Sequence, residues 1–236
     1  MTIKVLKAPD KIKPYAIIDK PAGLPSAPLS ADDKNNALIQ TAELFPEILN
    51  VNGKKEIEHG LLHRLDTATS GLIIIAASKE CYDYLQKEQE EEKIYKYYRA
   101  QCNVLNDLPE KKEFEIKSYF RPFGPGRKEV RPVTEDSGKA ALQKLGKKVL
   151  YTTCVKILSI DKDKKTAEVE CRITKGYRHQ VRCHLAWIGL PVVNDKIYNP
   201  LVKKENAEPM RFCACKLEFE YPRGDLNSYD RKDTWT

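Results

Sequence analysis

The pattern of apolar and polar positions along the chain predicts mostly short strands with a few helices between them. Apolar runs of strand length end at polar or glycine- and proline-containing turns, and two of them flank the polar sequence DKDKK, which predicts a hairpin. The predicted strands are 15–18, 72–77, 94–104, 113–120, 149–160, 165–173 and the alternating sequence 211–222. Helical spacing predicts helices at 35–49, 81–92 and 179–188, the last followed by Gly189 and Pro191 as a stop signal.

Mostly strands with a few intervening helices indicate an α+β fold built on one large sheet. The 236 residues contain no internal repeat and no linker rich in glycine, serine or proline, so residues 1–236 are predicted to form a single domain. With 41% hydrophobic and 32% charged residues, the composition excludes collagen-like, low-complexity and globally disordered classes. The longest apolar run is far below the roughly 18 residues of a membrane span, and the N-terminus lacks a signal-peptide pattern. The sequence therefore predicts a soluble, cytoplasmic protein with no membrane partner.

Charge and cysteine usage refine this picture. The net charge is +7, with 17 basic and 19 acidic residues in 1–118 but 24 and 15 in 119–236. A basic half is compatible with a polyanion such as RNA, although many basic proteins bind no nucleic acid. Seven scattered cysteines without a CxxC pair indicate a reducing compartment, and Cys213 and Cys215 are expected to be two buried small side chains on one strand face.

Three polar segments could carry chemistry, and each has an ordinary structural alternative. In 60–71, Asp66 lies in a polar loop that leads into a buried strand, although it could simply cap a turn with Thr69 and Ser70. In 176–184, Arg178 and Arg182 share a helix face, which a solvated basic face would explain equally well.

The third segment, 93–99, interleaves aromatic and cationic residues. Strand alternation places Lys96 and Tyr98 on one face and Tyr95, Tyr97 and Arg99 on the other, a pattern that an ordinary amphipathic strand would also show.

A metal-dependent hydrolase is a competing interpretation, because the four histidines occur as His59/His63 and His179/His184. The first pair has helical i, i+4 spacing but lacks the intervening glutamate of HExxH, and the second pair is five residues apart. We therefore expect no metal site.

Taken together, the segments resemble the RluA-type family of RNA pseudouridine synthases. The matching motifs, in the order of the family, are DKPAGL at 19–24, HRLDxxTSG at 63–71, KxYxA at 96–100, HQVRxHL at 179–185, LPVxxDxxY at 190–198 and LxFxxP at 217–222. The resemblance implies a central, mostly antiparallel mixed β-sheet with flanking helices and loops. It also implies isomerisation of uridine to pseudouridine in ribosomal or transfer RNA, without a cofactor.

The resemblance assigns roles residue by residue. Asp66 would be the catalytic carboxylate, Tyr98 the aromatic residue beneath the uracil, and Arg182 the arginine that pairs with the carboxylate. Arg64 would enter the RNA stack as the target base is flipped out. The residues expected to contact RNA are Arg64, His63, Arg178, His179, Gln180 and Lys20, and further basic residues such as Arg127, Lys128 and Arg131 would contact phosphate.

The chain departs from the family pattern at three places. Gly176-Tyr177-Arg178 stands where the family has Gly-Arg-Thr, Asn194-Asp195 where it has Gly-Asp, and Cys213 where a histidine is expected. No N-terminal stretch is long enough for the S4-type RNA-binding domain of many relatives, so substrate selection would rest on the catalytic domain or on segment 106–135.

A monomer is expected. A catalytically silent RNA-binding protein on the same fold is the main alternative, although pure binding has no use for a carboxylate that faces RNA.

Overall fold

The computed structural model describes residues 1–30, 32–108, 111–145, 148–203, 205 and 207–231. The chain forms two compact units, Met1–Lys96 with Cys213–Thr236, and Tyr97–Phe212. Each unit is described by itself, and the single-domain assignment of the sequence stays a prediction.

The strands and helices alternate irregularly along the chain. The strands are β1 (Lys4–Lys7), β2 (Tyr15–Lys20), β3 (Ser70–Ala76), β4 (Tyr95–Asn103), β5 (Glu113–Phe123), β6 (Glu129–Val133), β7 (Tyr151–Asp161), β8 (Thr166–Ile173), β9 (Phe212–Glu220) and β10 (Leu226–Asp230). The helices are α1 (Ala37–Leu44), α2 (Lys79–Glu90), α3 (Lys139–Gln143) and α4 (Gln180–Trp187).

The sheet of the first unit has the order β1–β2–β3–β9–β10. All its pairings are antiparallel except that of β3 with β9, which is parallel. All seven residues of β3 are buried, as its isoleucine-rich sequence predicts. Gly71 stands opposite Ala214, where a Cβ would lie 2.2 Å from the Ala214 carbonyl oxygen, and its φ of +126° also favours glycine. This glycine therefore lets β9 pack directly against the strand that follows the Asp66 loop.

Capping residues determine where the helices of this unit begin. The Asn36 side chain accepts a hydrogen bond from the Ile39 N–H at the start of α1, and Ser78 accepts one from Cys81 at the start of α2. The sequence prediction of one helix over 35–49 was too long, because α1 ends at Leu44 and a separate 3-10 turn follows over Pro46–Asn50. Proline disfavours the α conformation in the residue that precedes it, which explains the break before Pro46.

The sheet of the second unit has the order β4–β8–β7–β5–β6, with antiparallel pairing of β5 with β6, β5 with β7, and β7 with β8. The predicted hairpin across DKDKK is confirmed as β7–β8. Phe120, Val130 and Cys183 form a small buried cluster between the β5–β6 hairpin and α4. This packing places α4 against one face of the hairpin.

The prediction of an α+β fold with a mostly antiparallel mixed sheet is confirmed. The sequence patterns missed β1, β6, β10 and α3, which are short. The seven cysteines, all among the described residues, form no disulfide bonds with one another. The prediction for Cys215 was wrong, because Cys213 is buried but Cys215 is only half-buried. No helix among the described residues is long and apolar enough to cross a membrane. The described residues also contain no cluster of three or more metal-ligating side chains.

Candidate active site

Asp66 is half-buried in the loop that leads into β3. The Thr69 N–H donates a hydrogen bond of 2.9 Å to the Asp66 carbonyl oxygen, so the turn is closed by the main chain.

A neighbouring segment, residues 20–26, holds the peptide groups on both sides of Asp66, and we call it the support loop. The Ser26 hydroxyl donates to the Leu65 carbonyl oxygen at 2.8 Å and accepts from the Leu65 N–H at 3.0 Å. On the other side, the Gly23 N–H donates to the Thr67 carbonyl oxygen at 2.7 Å. Asp66 is therefore held through residues before and after it, which is the preorganisation that a catalytic group needs.

Lys20 stabilises the support loop through hydrogen bonds from its buried side chain. Its side chain is fully buried, and its ammonium group donates to the carbonyl oxygens of Pro21 at 3.0 Å, Leu24 at 2.7 Å and Thr67 at 3.3 Å. Burial lowers the pKa of Lys20 to about 8, while the negative charges of Asp66 and Asp19 act in the opposite direction. The structure shows Lys20 as a fully buried support with three carbonyl partners, and its contact with RNA stays a prediction.

His63 and Arg64 lie just before Asp66 and have different environments. The His63 Nε2 atom accepts a hydrogen bond of 3.3 Å from the Ile74 N–H, so the ring is neutral. Burial, with a further contribution from the charge of Lys96, lowers the pKa of His63 well below its usual range. The Arg64 side chain is 56% exposed and forms an ion pair of 3.0 Å with Glu58. An ion pair this exposed is weak, so the guanidinium group is available to a ligand.

Tyr98 belongs to the second unit and lies on the buried face of β4. The predicted alternation is confirmed, because Lys96 and Tyr98 are buried and the residues between and beside them are half-buried. The Tyr98 ring is stacked on Phe212, with centroids 5.2 Å apart and ring planes at 6°. This parallel stack fixes the orientation of the phenol ring.

Arg182 on α4 forms a bidentate ion pair with Asp195. Its Nε and Nη2 atoms lie 2.8 and 2.7 Å from the two carboxylate oxygens, and both side chains are almost completely buried. Asp195 also accepts hydrogen bonds from the N–H groups of Ile197 and Tyr198. Because a buried charge without partners is costly, these bonds hold the carboxylate, and with it Arg182, in one geometry.

The other predicted RNA contacts around α4 differ in exposure. Gln180 is buried and donates to the Thr152 carbonyl oxygen and the Thr153 hydroxyl, and its contact with RNA stays a prediction. His179 is half-buried, with Nδ1 3.0 Å from the Tyr198 hydroxyl. Arg178 is exposed but donates to main-chain carbonyl oxygens of the turn between β5 and β6.

Comparison with known proteins places this chain in a family. Residues 14–187 match the model of the RNA pseudouridylate synthase family, which covers more than half of the chain. The chain belongs to the RNA pseudouridylate synthase family. An uncharacterised RNA pseudouridine synthase of Zymomonas mobilis is 31% identical over 86% of this chain and 82% of its own length. The ribosomal large subunit pseudouridine synthase D of Neisseria meningitidis is 27% identical over 78% of this chain and 44% of its own length.

Among solved structures, human RNA pseudouridylate synthase domain containing 1 superposes with a TM-score of 0.69 at 20% identity. The superposition covers 98% of this chain and 83% of that one, which shows a shared fold. Other curated relatives are longer, since the matches span only 58–62% of their lengths.

Two residues that hold candidate site residues in place, one in each unit, have roles that sequence reasoning did not identify. Ser26 carries no motif signal of its own, because its role depends on a contact 39 residues away along the chain. Asp195 is the aspartate of the LPVxxDxxY motif, but its pairing with Arg182 spans 13 residues, which no local pairing rule covers. Both residues position other groups, which is why composition and periodicity do not reveal them.

Proposed function

We propose that this chain isomerises specific uridines in RNA to pseudouridine, with Asp66 as the catalytic carboxylate. The observation that carries the proposal is the support of Asp66 from both sides by residues 20–26, in a chain that belongs to a family of RNA pseudouridylate synthases. Hydrogen bonds to both neighbouring peptide groups hold Asp66 in the fixed position that a catalytic carboxylate needs.

The reaction requires no net change in oxidation state. The N1–C1′ bond breaks, the uracil turns within the site, the C5–C1′ bond forms, and the hydrogen on C5 is released as a proton while N1 gains one. Asp66 would act at the ribose, either by attack on C1′ or by removal of a proton from C2′. Attack of Asp66 on C6 of the uracil is the alternative. The proposal gives Tyr98 the flat surface beneath the uracil and a part in the final proton transfer, and it gives Arg182 the stabilisation of the charged carboxylate.

Access to the target requires that the uridine leave its stack. We assign the vacated space to Arg64, because its planar cationic side chain is 56% exposed and its Glu58 ion pair is weak enough to be exchanged for RNA. His63, Arg178 and His179 would add contacts to the RNA. The target is proposed to be ribosomal or transfer RNA, and ribosomal RNA is the first to test because the Neisseria relative is named for the large ribosomal subunit.

Tritium release from C5-labelled RNA tests the proposal directly. Wild-type protein should release tritium to water from labelled total RNA, because C5 loses its hydrogen when it becomes the glycosidic carbon. Asp66→Asn should abolish release while leaving thermal stability close to wild type. Asp163→Asn, at an exposed position in the β7–β8 turn, is the matched control and should release tritium at the wild-type rate.

The possible results separate the two main interpretations. Equal release by wild type and Asp66→Asn would refute the role of Asp66. Binding of RNA by wild type without release of tritium, on both ribosomal and transfer RNA, would support the catalytically silent RNA-binding protein.

We further propose that the chain acts as a cytoplasmic monomer with one catalytic domain. Light scattering on the purified protein would test the oligomeric state.

A further inference from the structure

The β5–β6 hairpin of the second unit presents two arginines directly opposite each other. Arg121 on β5 is the register partner of Arg131 on β6. Like charges directly opposite each other on neighbouring strands destabilise a sheet. Arg121 is half-buried and Arg131 is exposed, so this pair is accessible to a ligand. An unfavourable arrangement kept at an accessible position suggests a binding role.

The two guanidinium groups share one aromatic ring. Phe123 follows Arg121 on the same face of β5, and its ring centroid is 5.1 Å from the Arg121 guanidinium carbon and 3.2 Å from that of Arg131. The opposite face of the hairpin is buried, with Phe120 and Val130 in the core. The outer face therefore combines two cations with a stacking platform, the combination that proteins use for unpaired nucleotides.

Neither arginine is neutralised by a carboxylate within the described part of the chain. Glu129, on the same face, is the register partner of Phe123 and forms no ion pair with Arg121 or Arg131. The guanidinium N–H groups are thus available to an external acceptor. Arginine is suited to this task because its fork binds phosphate oxygens while its plane stacks on rings.

The hairpin is also held in place by bonds to the segment around α4. The Val130 N–H donates to the Tyr198 hydroxyl at 2.9 Å, and the Cys183 thiol donates to the Val130 carbonyl oxygen at 3.3 Å. Arg178 donates to the carbonyl oxygens of Arg127 and Glu129 at the turn. The pair of arginines is therefore presented on a braced element rather than on a loose loop, which lowers the entropic cost of binding.

We propose that Arg121, Phe123 and Arg131 form a second RNA contact, which holds an unpaired nucleotide of the substrate outside the target uridine. The two guanidinium groups bind its phosphates, and its base stacks on the Arg131–Phe123 platform. This inference rests on the proposed function only in that RNA is the substrate. The surface would contribute to substrate selection and not to the isomerisation step.

Binding can be measured without catalysis, by fluorescence anisotropy with a labelled oligouridylate of about 20 nucleotides. For wild type, the logarithm of the association constant should fall linearly with the logarithm of the KCl concentration. Single-strand contacts contribute a slope of about −0.7 per phosphate, so R121A/R131A should reduce the magnitude of the slope by about 1.4. The double variant should also bind about tenfold or more weakly at low salt. Phe123→Ala should weaken binding about tenfold without changing the slope, because stacking releases no counterions.

The matched control is K162A/K164A, which removes two exposed positive charges from the β7–β8 turn. This variant should keep the affinity and slope of wild type. An equal loss in the control would overturn the proposal in favour of nonspecific charge, and an unchanged slope in R121A/R131A would overturn it outright. Since anisotropy does not depend on turnover, absence of tritium release from wild type would refute the proposed function and leave this result interpretable.

Discussion

The variant Ser26→Ala tests the contribution of the support loop separately from that of the groups proposed to contact RNA. Ser26 is buried and makes both of its hydrogen bonds to the main chain of Leu65, the residue before Asp66. Ser26→Ala removes only the hydroxyl group, so it changes neither the charge near Asp66 nor Arg64 and His63, the residues proposed to contact RNA. The expected effect is a less well held carboxylate.

The magnitude follows from the two main-chain groups that lose their partner. Leu65 is 7% exposed, and leaving a buried donor or acceptor unpaired costs about 1–3 kcal/mol. For the two groups together, the free energy of unfolding should therefore fall by about 2–6 kcal/mol. For a chain of this length, about 2–4 °C per kcal/mol lowers Tm by about 4–24 °C. Misplacement of a catalytic group by about 1 Å can cost 10²-fold in rate, so kcat should fall about ten- to a hundredfold.

Steady-state tritium release at several RNA concentrations, measured with thermal unfolding, tests this expectation. Thr41→Val is the matched control, because it also removes a fully buried hydroxyl, but one that donates only to the Ala37 carbonyl oxygen within α1. Ser26→Ala should lower kcat with little change in KM, whereas Thr41→Val should lower Tm without lowering kcat at a permissive temperature. If Ser26→Ala turned over labelled RNA at the wild-type rate, or if Thr41→Val lost as much activity, the positioning argument would be refuted.

Two further predictions concern buried ionisable groups of the second unit. Asp195→Asn should leave the guanidinium group of Arg182 buried without its carboxylate, which lowers the free energy of unfolding by about 3–5 kcal/mol. Chemical denaturation should detect this loss, and an unchanged midpoint would contradict the prediction. Burial lowers the pKa of His184 to about 4, so the folded state resists protonation while the unfolded chain accepts a proton near pH 6.5. Stability from this group is complete above about pH 6.5 and is lost as the pH falls towards 4, by about 2 kcal/mol at pH 5. Urea unfolding at pH 7.5 and 5 should show a smaller difference for His184→Gln than for wild type, and equal differences would disprove the assignment.

The sequence alone was sufficient wherever structure follows from short-range periodicity. Alternation placed Lys96 and Tyr98 on the buried face of β4, the polar DKDKK turn located the β7–β8 hairpin, and the isoleucine run located the buried strand β3. The ordered motifs also sufficed for the family, which the match over residues 14–187 bears out. Such signals are encoded within about ten neighbouring residues, so no knowledge of distant contacts is needed.

Only the tertiary structure decided which charged and polar residues are supports and which face solvent. Lys20 and Gln180 lie in motifs shared with RNA-binding enzymes, yet both are buried and bonded to the main chain. The pairing of Ser26 with Leu65 and of Arg182 with Asp195 joins segments 39 and 13 residues apart. Whether a polar side chain is exposed depends on which distant segment covers it, and a local pattern contains no record of that segment. Periodicity thus determined the elements of this protein, while the packing of remote segments determined what surrounds Asp66.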